Sequence, residues 1–217
     1  MADFAASRRM MVDGQVRTND VTDPRLITAM LEVPRERFVP RELQPLAYLD
    51  RDLAVGPGRA LVKPMVLAKL IQAVNVGEHD LVLVVGCATG YSSAVLARLA
   101  DAVVGLEEDA ALARTANETL SAVDAPNVAV VSGPLAAGWP SQGPYDVILL
   151  NGAVEVIPEA LLGQLKEGGR LVAVVGTRPM AKATLYRSDS GRVSAQPLFD
   201  AAAPALPGFA KPPAFVF

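Results

Sequence analysis

The chain has 217 residues, of which 51% are hydrophobic and 20% charged, and its formal net charge is −3. That length and apolar content suffice for one sizeable core and exclude a disordered or fibrous chain. A single cysteine, Cys87, excludes an internal disulfide, and with a single histidine, His79, a zinc cluster or a Ser-His-Asp triad is hard to build, although carboxylates alone could bind a hard cation.

The slightly acidic balance argues against a nucleic-acid partner, since the arginines of the first third are nearly matched by acidic residues. The segment MADFAASRRMMVDGQ carries no long apolar stretch of the signal-peptide kind, and no apolar run approaches the ~20 residues of a membrane helix. These features predict a cytoplasmic protein with no membrane partner and no metal.

In chain order, residues 1–60 read as helices and loops. Asp23-Pro24 is a helix start, with an N-cap acceptor followed by proline. Leu26, Ile27, Met30 and Leu31 then share a face until Pro34 stops the helix. The Gly- and Pro-rich stretch 50–64 predicts a structured loop. Pro64 opens a second helix with Leu67, Leu70, Ile71 and Val74 inward, and His79 falls in a surface turn.

From residue 81 the pattern changes. Apolar runs at 81–85, 102–106, 127–131 and 145–150 alternate with helical patterns at 91–100, 108–122 and about 158–166. That alternation predicts parallel strands buried on both faces. Gly168-Gly169 is read as the end of the last helix and 170–176 as a fifth strand. Residues 183–188 and 192–199 alternate around Asp189-Ser190-Gly191, which predicts an antiparallel hairpin at the end of the sheet. An irregular arm at 201–213 follows. Phe215 and Phe217 are expected to pack onto the sheet, with a homodimer arm as the alternative. The expected architecture is a single α/β domain over 1–217, a Rossmann-like and mostly parallel sheet at 77–217 with an N-terminal helical and loop extension at 1–76.

The segment LVLVVGCATGY (81–91) then carries the functional signal. Glycines after a first strand let backbone pass close to a ligand, and the following helix N-terminus favours anionic groups. Glu107 ends the second apolar run, 21 residues after Gly86, near the ~20 expected for an acid that accepts ribose hydroxyls. The third position of a nicotinamide fingerprint would be Tyr91, too bulky for close helix–strand packing. Gly86, Ala88 and Gly90 instead follow the G-x-G-x-G spacing of S-adenosylmethionine-dependent methyltransferases.

At this point the chain resembles the protein-L-isoaspartate (D-aspartate) O-methyltransferase family over nearly its whole length. VLVVGCATGYSSAVLA (82–97) matches the family's glycine segment, and VVGLE (103–107) matches the one ending in its ribose-binding acid. YDVILLNGAVEVIPEALLGQLKEGGRLVAVVG (145–176) matches its later segment. YLDRDLAVGPGRALVKP (48–64) keeps the register of its upstream loop at Tyr48, Asp50, Leu53, Gly56, Gly58 and Pro64. The resemblance implies S-adenosylmethionine as cofactor and isoaspartyl residues of damaged proteins as methyl acceptors, a protein-repair activity. It also exposes departures. Val62 holds the place of the family's serine, which leaves the catalytic residue unknown, and Arg59-Ala60 replaces its Gln-Thr. Val84 stands where the family has an acid, Ala88 replaces its middle glycine, and Pro134 replaces the aspartate of its adenine-contacting segment.

The cofactor contacts expected on this basis are Gly86, Cys87, Ala88, Gly90, Tyr91, Glu107, Glu108, Pro134, Leu135 and Asn151. Asn151 ends the fourth strand, where a polar group would face the reacting centre or form a turn before Gly152. Arg59, Val62 and Lys63 form the expected substrate loop, the two cations attracting a carboxylate or standing as solvated charges. Cys87 reads as a small filler and Trp139 as core or lid. A methyltransferase with another acceptor, and a non-catalytic relative with a decayed cofactor site, are the alternatives.

Overall fold

The computed structural model describes residues 3–177 and 179–211, so the expectation for Phe215 and Phe217 lies outside the described residues. Helix α1 (Phe4–Met11) starts at Asp3, whose carboxylate accepts from the Ala6 amide, and runs into a π-helical turn at Val12–Val16. Helix α2 (Pro24–Glu32) starts at Asp23 and buries Leu26, Ile27 and Met30, while Leu31 is half-buried at the margin of that face. Helix α3 (Pro64–Val74) buries all four expected residues at about 1% exposure. Full burial of such side chains stabilises by roughly 1.5–3 kcal/mol each.

The loop expected at 50–64 contains a small antiparallel hairpin, β1 (Leu53–Gly56) with β2 (Arg59–Leu61), turning at Gly58 in the left-handed region. The main sheet comprises β3 (Leu81–Val85), β4 (Ala102–Glu107), β5 (Val128–Ser132), β6 (Tyr145–Val154), β7 (Leu165–Val175), β8 (Lys182–Asp189) and β9 (Arg192–Asp200). Their spatial order is β5-β4-β3-β6-β7-β8-β9. The first five are parallel, and β8 and β9 are antiparallel, as the sequence hairpin requires. Helices α4 (Tyr91–Leu96), α5 (Ala110–Ala122) and α6 (Glu159–Leu162) lie between strands. This is the expected Rossmann-like sheet with its helical extension.

Three local expectations need correction. The helix expected to 166 ends at Leu162, because the Gln164 carbonyl accepts from the Tyr145 amide and draws Leu165 into register beside β6. Gly168 and Gly169 therefore shape an irregularity inside β7 rather than a helix end. The helix expected at 91–100 keeps α-geometry to Leu96 and then tightens to three-residue bonds at Arg98 and Leu99. Burial on both faces holds for the central strands, whereas β5 is only partly covered and β9 is exposed along most of its length.

The sheet divides the core. One side packs against α1–α4 and the extension, and the other holds Leu135, Leu161, Leu206 and Phe209. The arm after β9 is thus irregular in backbone but inserts two large side chains. Among the described residues no helix is long and apolar enough to cross a membrane.

Candidate active site

Strand β3 delivers the chain to a tight turn. Gly86 has φ +75°, Ala88 +52° and Gly90 +96°, and Gly90 precedes the first residue of α4. The amides of Gly86 and Cys87 both donate to the Leu106 carbonyl, at 2.8 and 3.0 Å, so β4 holds the turn. Glycine adopts these angles freely, whereas alanine in the left-handed region costs ~1–2 kcal/mol. The Thr89 hydroxyl donates to the Phe38 carbonyl at 2.6 Å, fastening the turn to the N-terminal extension.

Glu107 ends β4 at 1% exposure. Its Oε2 accepts from the Ala88 amide and from Arg59 Nη2, both at 2.7 Å. Its Oε1 accepts from the Glu108 amide at 3.0 Å and from the Asp109 amide and Arg59 Nε at 3.3 Å. Loop, acid and hairpin therefore meet at one carboxylate.

Arg59 corrects the sequence reading. Neither a solvated charge nor a free cation for a carboxylate ligand, it is 6% exposed and engages Glu107 with two nitrogens. The reason is the β1–β2 hairpin, which turns the start of β2 inward over the glycine turn. A Cβ placed on Gly86 would lie 2.6 Å from Arg59 Nη2 and 2.9 Å from Leu206. The space a ligand would take above that glycine holds both side chains.

Asn151 lies inside β6, not in a turn, at 4% exposure, and its Nδ2 donates to the Gly86 carbonyl at 3.0 Å. Cys87 is fully buried, and burial pushes its thiol pKa well above the ordinary value, helped by the Glu107 charge. The side chain of Tyr91 is buried. It packs edge-on against Phe38, with the Arg35 guanidinium 4.6 Å from its ring centre, because the first turn of α4 abuts the extension.

Glu108 and Pro134 are exposed, while Leu135 is buried under the sheet. Gly133 is bound through its amide to the Glu107 carbonyl, and a Cβ there would meet the Trp139 ring at 3.1 Å. Trp139 thus lies against the segment after β5. Val62 is buried with its carbonyl accepting from Arg35, and the Lys63 amide donates to Asp52 at the start of α3. Val84 points into the core.

Two participants escaped the sequence reading. Arg35 is fully buried and bonds the Ala47 and Val62 carbonyls, yet nothing distinguishes it in sequence from its neighbouring arginines. Leu206 is an isolated apolar residue flanked by Ala205 and Pro207. The Ala153 and Leu206 amides donate to the Pro204 and Ala153 carbonyls, which lays the arm along β6. Leu206 also lines a cavity of ≈ 370 Å³ at the carboxyl ends of β6 and β7, together with Ala153, Glu155, Gly176, Ala181 and Phe209.

A mostly parallel sheet with a glycine turn after its first strand and a buried acid ending the second defines a Rossmann-like architecture of the nucleotide-binding type. The protein-L-isoaspartate(D-aspartate) O-methyltransferase family model matches residues 6–201. A protein-L-isoaspartate O-methyltransferase of Pelotomaculum thermopropionicum is 40% identical over 174 residues, 80% of this chain and 76% of that protein. One of Methanoculleus marisnigri is 38% identical over 191 residues, 88% and 87% of the two chains. A solved protein-L-isoaspartate O-methyltransferase superposes with a TM-score of 0.81 at 25% identity, covering 93% of this chain and 66% of that one. A Plasmodium falciparum structure described as a complex with S-adenosyl-L-homocysteine gives 0.77 at 18% identity, covering 90% and 96%. The chain belongs to the protein-L-isoaspartate(D-aspartate) O-methyltransferase family, whose members use S-adenosylmethionine.

Proposed function

We propose that this chain is an S-adenosylmethionine-dependent methyltransferase that esterifies the carboxylate of isoaspartyl residues in damaged proteins. The observation that carries the reading is Glu107, buried at the carboxyl end of β4 and in contact with the Ala88 amide of the glycine turn, in a chain of this family. The residues suit the cofactor: a carboxylate to accept from ribose hydroxyls, a glycine turn that allows close approach of a ligand, and main chain at Gly133 and Leu135 for the base. It fits when the Arg59 guanidinium leaves the Glu107 oxygens and Leu206 leaves the space above Gly86.

When bound, the cofactor supplies an electrophilic methyl group. The rest falls to the chain. An acceptor carboxylate is ionised at neutral pH, so no strong general base is called for. That suits a site where the Cys87 thiol is held protonated by burial and His79 stands at the surface. The protein's work is alignment and exclusion of water. Asn151 fixes the turn to β6, the cavity beyond Leu206 receives the acceptor, and Lys63 is the acceptor-side cation. In this reading the protein acts in the cytoplasm as one domain, on protein or peptide partners rather than nucleic acid.

Incubation with labelled S-adenosylmethionine and an isoaspartyl peptide tests the proposal. Base-labile label on that peptide, absent from its aspartyl counterpart, is expected. Label confined to other acceptors, or none at all, overturns it.

A further inference from the structure

We propose that Arg59, with Leu206 beside it, is a built-in occupant of the cofactor cradle, and that the chain regulates its own cofactor affinity by holding this closed arrangement. The inference rests on the cofactor reading of Glu107 given above.

Two segments distant in sequence converge on one glycine. Arg59 comes from the hairpin at 53–61, Leu206 from the arm after β9, and both lie within 3 Å of a Cβ placed on Gly86. Arg59 also covers both oxygens of Glu107, the atoms that ribose hydroxyls would use. A surface cation merely visiting the site would stay in water. This one is buried with its partner, at 6% and 1% exposure, and that partner also accepts from the Ala88 and Glu108 amides.

The pair therefore mimics ligand binding from within, supplying donors to the acid and bulk to the cradle. Such a plug lowers apparent affinity by the fraction of molecules in which it has opened. Leu206 separates the cradle from the cavity at the ends of β6 and β7, so displacement of the arm would join the two spaces. An opened arm also frees the Ala153 amide and carbonyl that now bind it. Cofactor entry and acceptor-side access are thereby coupled to one movement.

The test is calorimetric titration of S-adenosylhomocysteine into wild type, Arg59→Gln and Leu206→Ala, with methyl transfer to an isoaspartyl peptide measured in parallel. Arg59→Gln is expected to bind roughly tenfold or more tightly than wild type, and Leu206→Ala several-fold more tightly. Leu206→Ala removes bulk without exposing a charge, and serves if Arg59→Gln does not fold. Unchanged or weaker binding by the folded variants, with transfer by wild type intact, overturns the plug and leaves the activity standing. Tighter binding without transfer to the isoaspartyl peptide supports the plug and overturns the acceptor. Neither binding nor transfer in any protein overturns both.

Discussion

The Asn151 side-chain amide donates to the Gly86 carbonyl at 3.0 Å, so β6 grips the glycine turn at its first residue. Both groups are buried, and removing the donor leaves a carbonyl unsatisfied in the core. Asn151→Ala is expected to cost about 1–3 kcal/mol in denaturant unfolding. Asn151→Asp is expected to cost more, because a carboxylate would then face the carbonyl oxygen. The order of the two midpoints checks the assignment.

Arg59 and Glu107 should respond unequally to neutralisation. Removing the arginine leaves Glu107 with three amide donors, from Ala88, Glu108 and Asp109. Removing the carboxylate leaves a buried guanidinium without its anion. Glu107→Gln is therefore expected to destabilise by about 3–5 kcal/mol, the range for a broken buried pair. Arg59→Gln is expected to cost about 1–2 kcal/mol. Equal losses in chemical denaturation would contradict this asymmetry.

Ala88 and Ala94 form a matched pair for backbone strain. Both are essentially fully buried, but Ala88 has φ +52° while Ala94 lies within α4. Ala94→Gly loses a buried methyl group and helix propensity, about 1–2 kcal/mol. In Ala88→Gly the same methyl loss is offset by relief of left-handed strain, and stability should change by less than about 1 kcal/mol. Thermal unfolding of the two variants side by side measures the difference.

Asp146 predicts an acid-dependent contribution to stability. Partial burial pushes its pKa up, but the Leu81 amide at 2.8 Å and the Lys166 ammonium at 2.6 Å outweigh that, with Arg170 adding to them, and the net shift is downward. A carboxylate depressed in the folded state stabilises above its unfolded pKa, ~3.9, and that contribution disappears as pH falls through the folded value. Asp146→Asn should therefore be less stable than wild type at neutral pH. The gap should shrink below about pH 4. A gap that stays constant down to pH 3 would contradict the assignment.

Much of the fold was legible because its signals are local. The apolar runs at 81–85 and 102–106, the helix starts at Pro24 and Pro64, and the turn at Asp189-Ser190-Gly191 each depend on a few adjacent residues. The end of α6 was not, because a strand partner 20 residues upstream of Leu165 overrides a helical apolar pattern. In the site, Gly86, Gly90 and Glu107 followed from their spacing along a strand–turn–helix–strand unit.

Periodicity and glycine chemistry act over short range, so the strand runs, the glycine turn and the position of its acid follow from local sequence. What that acid touches depends on packing between distant segments. Arg59 lies 48 positions from Glu107 and Leu206 comes from the arm that follows β9, and no local propensity records such a meeting. Burial turned a hairpin arginine into the partner of the acid that ends β4, because a cation and an anion removed together from water must pair.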